Sequence, residues 1–238
     1  MISVLDWAGC GNVRDLGGLP TVDGGVTRCG AVVRADSLDR LTTSGVAAFQ
    51  AHAVRRIVDL RSVEEAAARP VNLPDYILRP LIDPSAESRR DAEAEPTLSH
   101  VYRASLGRNA ANIVAAVAAI ADAPDGPVVV MCSAGRDRTG MVVALVLRVA
   151  GVTDEAIAAD YAATATCLAA RFEAELAVTG DDARERMRQW QSSEPTTILA
   201  MLSHLDSRYG GAVTYLRRHG MPEATTIGLR ERLRGLVR

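Results

Sequence analysis

"VVVMCSAGRDRTGMVVALVL", Val128 to Leu147, decides how this chain is read. Val128–Met131 is short, apolar and β-branched, which predicts a buried strand. From Thr139 onward the apolar run is long and predicts a helix, closed by Gly151. The residues between, Cys132-Ser133-Ala134-Gly135-Arg136-Asp137-Arg138, have to turn tightly. Small residues let a backbone curl so that successive N–H groups face inward as a nest. The helix that follows adds the partial positive charge of its N-terminus, and the two features together bind phosphate. Arg138 offers a planar fork to two phosphate oxygens. Cys132 stands at the mouth of this positive pocket, where a helix N-terminus and cations favour a thiolate. A cysteine after a buried strand is otherwise a small core residue, and the helix dipole disfavours arginine at a helix start. Packing alone therefore gives no reason for two arginines and an aspartate in this loop.

Outward from the loop, strands and helices alternate. "AVVRA" (31–35), "RRIVDLR" (55–61) and "YILRPLI" (76–82) read as short strands. "TVDGG" reads as a hairpin turn, since Asp-Gly tolerates positive φ. "DSLDRLTTSGVAAFQAHAV" reads as helical with Thr42 or Thr43 as its cap, and "VEEAAARP" as a short helix stopped by Pro70. In "ANIVAAVAAIAD", Ile113, Val117 and Ile120 share one helical face. "TDEAIAADYAATATCLAARFEAELAV" reads as one long helix capped by Thr153. After it come helix, turn and helix, broken at "YGG" (209–211) and "HGMP" (219–222), so 153–238 forms a helical C-terminal part. The polar stretch 83–98 reads as a loop or small helical insertion, and 84–110 as either a lid or an ordinary solvated loop. The alternation predicts an α/β fold, a central, mainly parallel sheet flanked by helices.

Composition narrows the functions. The formal charge of −2 gives no global basic field for nucleic acid. All 27 basic residues are arginine, so any mechanism needing a catalytic lysine is excluded, including a Gly-Lys-Ser/Thr nucleotide loop. No apolar run reaches the 18 or so residues of a membrane span. The start, "MISVLDWAGCGNV", has no basic-then-apolar leader, and Cys10, Cys29, Cys132 and Cys167 form no C-x-x-C pair. A cytoplasmic setting with reduced thiols is therefore expected. His52, His100, His204 and His219 lack metal-ligand spacing, so no metal or other cofactor is expected. Cys10, Cys29 and Cys167 read as packing residues, Asp59 and Arg61 as buried structural partners. Asn12, Arg14 and Asp15 read as braces for the sheet and loop.

Cysteine, five residues, arginine and Thr139-Gly140 resemble the signature of the cysteine-dependent protein tyrosine phosphatases. "CSAGRDRTG" is similar to their bacterial atypical group, tyrosine-phosphatase-3-like. So is "GNVRDLGGLPTVDGGVTRCGAVVRADSLDRL" (11–41), with "IVDLRSVEE", "GVTDEAIAADYA" and "YGGAVTYLRRHGM" further on. The resemblance spans nearly the whole chain and implies a single phosphatase domain over 1–238. It implies Cys132 as nucleophile and former of a cysteinyl-phosphate, and Arg138 as holder of the phosphoryl oxygens. Thr139 would hydrogen-bond the sulfur. The backbone of Ser133, Ala134, Gly135, Arg136 and Asp137 would cradle the phosphate, Arg136 adding a second positive charge. Asp83, after the 76–82 strand, and Asp137, inside the loop, compete for the role of general acid. Relatives carry histidine before the nucleophile, where this chain has Met131. The implied substrate is a phosphorylated protein or a small phosphate ester such as a phosphoinositide or nucleotide, with no nucleic-acid partner and no membrane insertion. An inactive phosphate-binding module and a sulfurtransferase are the competing classes.

Overall fold

The computed structural model describes residues 2–235, so the extreme ends of the expected 1–238 domain and of its 153–238 helical part lie outside the described residues. One sheet is built from β1 (Ser3–Val4), β2 (Arg14–Asp15), β3 (Val32–Ala35), β4 (Arg56–Asp59), β5 (Tyr76–Leu78) and β6 (Val128–Met131). Their spatial order is β1-β2-β3-β6-β4-β5. β3, β6, β4 and β5 are mutually parallel, while β1 and β2 add an antiparallel edge. The expected mainly parallel α/β sheet is present. β5 stops at Leu78, short of the expected 82, because Arg79 leads into Pro80, which has no N–H to continue a ladder.

Helices cover both faces. They are α1 (Thr43–Ala51), α2 (Val63–Ala68), α3 (Pro84–Glu87), α4 (Leu98–Arg108), α5 (Ala110–Ala121) and α6 (Asp137–Val149), then α7 (Asp154–Cys167), α8 (Ala169–Ala177), α9 (Asp181–Gln191), α10 (Pro195–His204), α11 (Ala212–Arg218) and α12 (Glu223–Arg234). Strand side chains alternate between faces with period two. Val32, Val58, Val128 and Val130 enter the larger core, which α5, α6 and α10 complete. Val33, Ile57, Val129 and Met131 enter a smaller cluster with Trp7 and Phe49. Met131 and Cys132 thus fall on opposite faces, the methionine in the smaller cluster and the cysteine in the larger core. Burying each such Val or Ile side chain favours the fold by about 1.5–3 kcal/mol, which fixes the register of β6 and with it the start of the loop.

Local signals behave as expected at several places. Thr42 caps α1 by accepting from Gly45 N, Thr153 caps α7 by accepting from Ala156 N, and Ile113, Val117 and Ile120 are all buried. The "TVDGG" turn closes with Thr21 N donating to Gly25 O at 2.9 Å. Two readings are corrected. The expected single helix after Thr153 breaks at Leu168, where the backbone leaves helical geometry (φ −105°, ψ 8°) and the side chain is buried beside Gly11. Helical periodicity continues through that point, so only the tertiary contact marks the break. Cys29 is exposed rather than packed, and Cys10 and Cys167 are half-buried. Segment 84–110 is not a plain solvated loop: α4 lies within it and buries Tyr102, Ser105 and Leu106. No single helix among the described residues is long and apolar enough to cross a membrane.

Candidate active site

The loop Cys132–Arg138 leaves the carboxyl end of the central strand β6 and runs into α6, where ligands bind in open parallel sheets. Its carbonyls are held outward. Ser133 O accepts from Ser37 N at 3.3 Å and from Arg171 Nη1 at 3.3 Å. Ala134 O accepts from Asn12 Nδ2 at 2.9 Å. Gly135 O accepts from Asn12 Nδ2 at 3.2 Å and from Arg34 Nη2 at 2.5 Å. Among the described residues no protein acceptor takes the N–H groups of Ser133 through Arg136. A loop with its carbonyls tied to donors on the outside and its amides free is the nest expected of an anion cradle. Gly135 is needed for this: its φ is +64°, and an added Cβ would lie 2.4 Å from Ala35 O.

The braces are themselves braced. Asn12 Oδ1 accepts from Arg14, whose Nε pairs with Asp160 at 3.0 Å, and Arg34 pairs with the other Asp160 oxygen. Asn12, Arg14, Arg34 and Asp160 are all buried. Burial opposes the charge of Asp160, but Arg34 and Arg14 outweigh it and hold the carboxyl below the usual range. The expectation that Asn12 and Arg14 brace the loop agrees with this geometry. Asp15 instead accepts from Gly17 N and Gly30 N, bracing the turn next to β3. Asp59 and Arg61 form a buried pair at 2.8 Å, as expected.

Cys132 is 2% exposed at the base of the loop. Arg138 directs both terminal nitrogens at Glu65, with Nη2 2.9 Å from Oε1. Burial works against the Arg138 charge, yet Glu65 and Cys132 together raise its pKa further. The Arg138 hydrogen bonds pull Glu65 down to about 2. Glu65 was not singled out from sequence; its one local signal is "SVEE", where Ser62 and Glu65 complete a capping box at the start of α2. Thr139 Oγ1 is buried without a partner among the described residues. Arg69 Nη2 reaches Ser133 Oγ at 3.2 Å.

The remaining expected residues separate. Arg136 does not stand free over the pocket: its Nη2 lies 3.0 Å from Asp137 Oδ2, and its guanidinium rests 5.6 Å from the centre of the Phe172 ring. Asp137 also accepts from Tyr102 Oη at 2.6 Å. Asp83 caps α3, accepting from Ser85 N at 2.8 Å and Ala86 N at 3.4 Å. It lines a cavity of about 340 Å3 with Ser62, Val63, Glu64, Pro80, Ile82, Pro84 and Asn112. Among the described residues no three His, Cys, Asp or Glu side chains gather as a metal site.

Known proteins resemble the chain along its length. The tyrosine phosphatase family profile matches residues 5–235. The triple specificity protein phosphatase PtpB of Mycobacterium tuberculosis is 28% identical, covering 99% of this chain and 99% of its own. A tyrosine-protein phosphatase of Nostoc commune is 31% identical over 85% of this chain and 74% of its own. With a match that takes in β2, the Cys132–Arg138 loop and every helix after it, the chain belongs to the tyrosine phosphatase family.

Proposed function

We propose that the chain is a protein tyrosine or dual-specificity phosphatase that hydrolyses phosphate monoesters through Cys132. The observation that carries this reading is the loop after β6, whose carbonyls are tied outward by Asn12, Arg34, Ser37 and Arg171 while its amides stay free. A phosphate seated there meets amides, the α6 terminus and the Arg138 fork at once. In the first step the Cys132 sulfur attacks phosphorus. An S–P bond forms as the P–O bond to the leaving group breaks, and a carboxylic acid, Asp137 or Asp83, protonates the departing oxygen. Arg138 and the amides meet the charge that builds on the phosphoryl oxygens. In the second step water attacks phosphorus, the S–P bond breaks with its electron pair returning to sulfur, and the carboxylate takes the water proton. Thr139 Oγ1, buried and without a partner among the described residues, donates to the sulfur as it leaves.

A relative named for triple specificity supports a substrate range wider than phosphotyrosine. Arg69 and Arg171, both on Ser133, add positive charge beside the loop that suits a substrate carrying a further anion. A cytoplasmic setting that keeps Cys132 reduced completes the reading. The test is Cys132→Ser assayed on an aryl phosphate with vanadate binding measured in parallel. Turnover is expected to vanish while vanadate binding survives, because a hydroxyl is a far poorer nucleophile than a thiolate. Near-normal turnover in this variant overturns the mechanism. A panel of phosphopeptides, phospholipids and nucleotides on the wild type then ranks the substrate classes.

A further inference from the structure

Tyr102 lies in α4 and is 1% exposed. Its hydroxyl stands 2.6 Å from Asp137 Oδ1 and 2.9 Å from the hydroxyl of Tyr161. Tyr102 gives its single proton to Asp137 Oδ1, so Tyr161 has to be the donor in the other contact. The direction is fixed: Tyr161 to Tyr102 to Asp137. Burial, reinforced by the neighbouring charge of Asp137, pushes the Tyr102 phenol well above its usual range, so it stays a neutral donor. Tyr161 comes this close because Gly140 has no side chain; a Cβ there would meet its ring at 3.1 Å.

The two oxygens of Asp137 are not equivalent. Arg136 Nε stands 3.0 Å from Oδ1 and 3.1 Å from Oδ2, and Nη2 stands 3.0 Å from Oδ2. Each carboxylate oxygen has room for two donors. Tyr102 and Arg136 Nε meet Oδ1, and Nε and Nη2 of Arg136 meet Oδ2, so both oxygens are held and the carboxyl is fixed in place.

We propose that Tyr102 is a positioning residue for Asp137: its hydrogen bond to Oδ1 holds the carboxyl in the orientation from which it moves the catalytic proton. This rests on the Cys132 phosphatase reading and chooses Asp137 over Asp83. As the P–O bond breaks in the first step, the proton passes from the Asp137 carboxyl to the leaving oxygen. As water attacks the cysteinyl-phosphate in the second, its proton passes to the Asp137 carboxylate. Tyr102 touches neither substrate nor phosphorus and acts only through Asp137. A phenol that merely satisfied its own buried hydroxyl would not affect one class of leaving group more than another.

The test is a cycle of Tyr102→Phe, Asp137→Asn and the double variant, with each assayed on phenyl phosphate and on a nitrophenyl phosphate. Tyr102→Phe keeps the ring and removes the donor. Its expected loss in kcat is about 10-fold on the poor leaving group and less than about 2-fold on the activated one, a part of the ~100-fold or more that general acid catalysis supplies. The double variant is expected to lose no more than Asp137→Asn alone, since residues acting as one unit are not additive. Equal losses on the two substrates, or losses that multiply in the double variant, overturn the proposal. If Asp137→Asn itself shows no dependence on the leaving group, the proposal fails while the Cys132 mechanism stands on its own serine variant. Should Tyr102→Phe not fold, Tyr161→Phe enters the same cycle, because it strips the donor from Tyr102 Oη. A leaving-group-dependent loss of about 3-fold is then expected, and a uniform loss overturns the proposal.

Discussion

Glu65 grips both terminal nitrogens of Arg138, joining the first turn of α2 to the Cys132–Arg138 loop across 73 residues of sequence. The pair is partly open to solvent, with side chains 21% and 33% exposed, so its share in stability is about 1 kcal/mol at most. Its larger effect is on orientation, because a fork held in plane is ready for two phosphate oxygens before substrate arrives. Glu65→Gln is expected to lower kcat/KM for an aryl phosphate by about 10-fold while the melting temperature moves by only a few degrees. Steady-state kinetics beside thermal melts check this; unchanged kinetics would remove Glu65 from the account of the site.

The same contact sets a pH window. Arg138 lowers the Glu65 carboxyl from 4.5 to about 2. A depressed carboxylate stabilises the fold above its unfolded pKa, and that stabilisation fades as pH falls through the folded value. The melting difference between wild type and Glu65→Gln is expected to be constant from pH 7 to about 5 and to shrink between 4.5 and about 2. A difference that grows on acidification contradicts the pairing.

Gly135→Ala is expected to damage the loop more than its size suggests. The new methyl group would lie 2.4 Å from Ala35 O and 2.6 Å from Ala35 C, at a φ of +64°. Left-handed backbone alone costs an alanine about 1–2 kcal/mol, and the neighbour is main chain that cannot swing aside. Loss of turnover by about 100-fold is expected from displaced amides, with weaker vanadate binding. Wild-type vanadate affinity in the variant would mean that the loop does not rely on this glycine.

Asp83→Asn and Asp137→Asn separate the two candidate acids. Asp137 sits at the end of the loop, held by Tyr102 and Arg136. Asp83 is engaged as the cap of α3. Asp137→Asn is expected to slow a phosphopeptide by about 100-fold and an activated aryl phosphate far less. Asp83→Asn keeps an oxygen to cap α3, so it is expected to change stability little and to show little dependence on leaving group. The reverse pattern in the two variants assigns the acid to Asp83.

The parts of this molecule legible in its sequence are those whose cause is local. β6 and the helix after the loop are announced by apolar runs, and the nest by small residues between them. The helix starts at Thr43 and Asp154 are announced by capping threonines. The illegible parts depend on partners far away in the chain. Leu168 interrupts a helical pattern that sequence periodicity carries straight through, and it packs beside Gly11, 157 residues away in the chain. Glu65 looks like an ordinary capping-box residue until Arg138 folds against it. Arg136 reads as a second cation for substrate, whereas its nearest carboxylate is Asp137, the next residue. Tyr102 has no motif of its own, and its role emerges only when α4 meets the loop.

Met131 fills an apolar cluster with Trp7 and Phe49 on the face opposite Cys132, so fastening of the loop falls to residues remote in sequence. Asn12 reaches forward 122 residues to Ala134, and Arg14 reaches 146 residues to Asp160. Contacts this distant in sequence close late in folding, because loop-closure entropy has to be overcome first. A chain still being synthesised has Cys132 and Arg138 before it has Asp160 and Arg171. The Cys132–Arg138 loop therefore acquires its shape near the end of folding, and an incompletely made chain carries Cys132 as an unguided thiol.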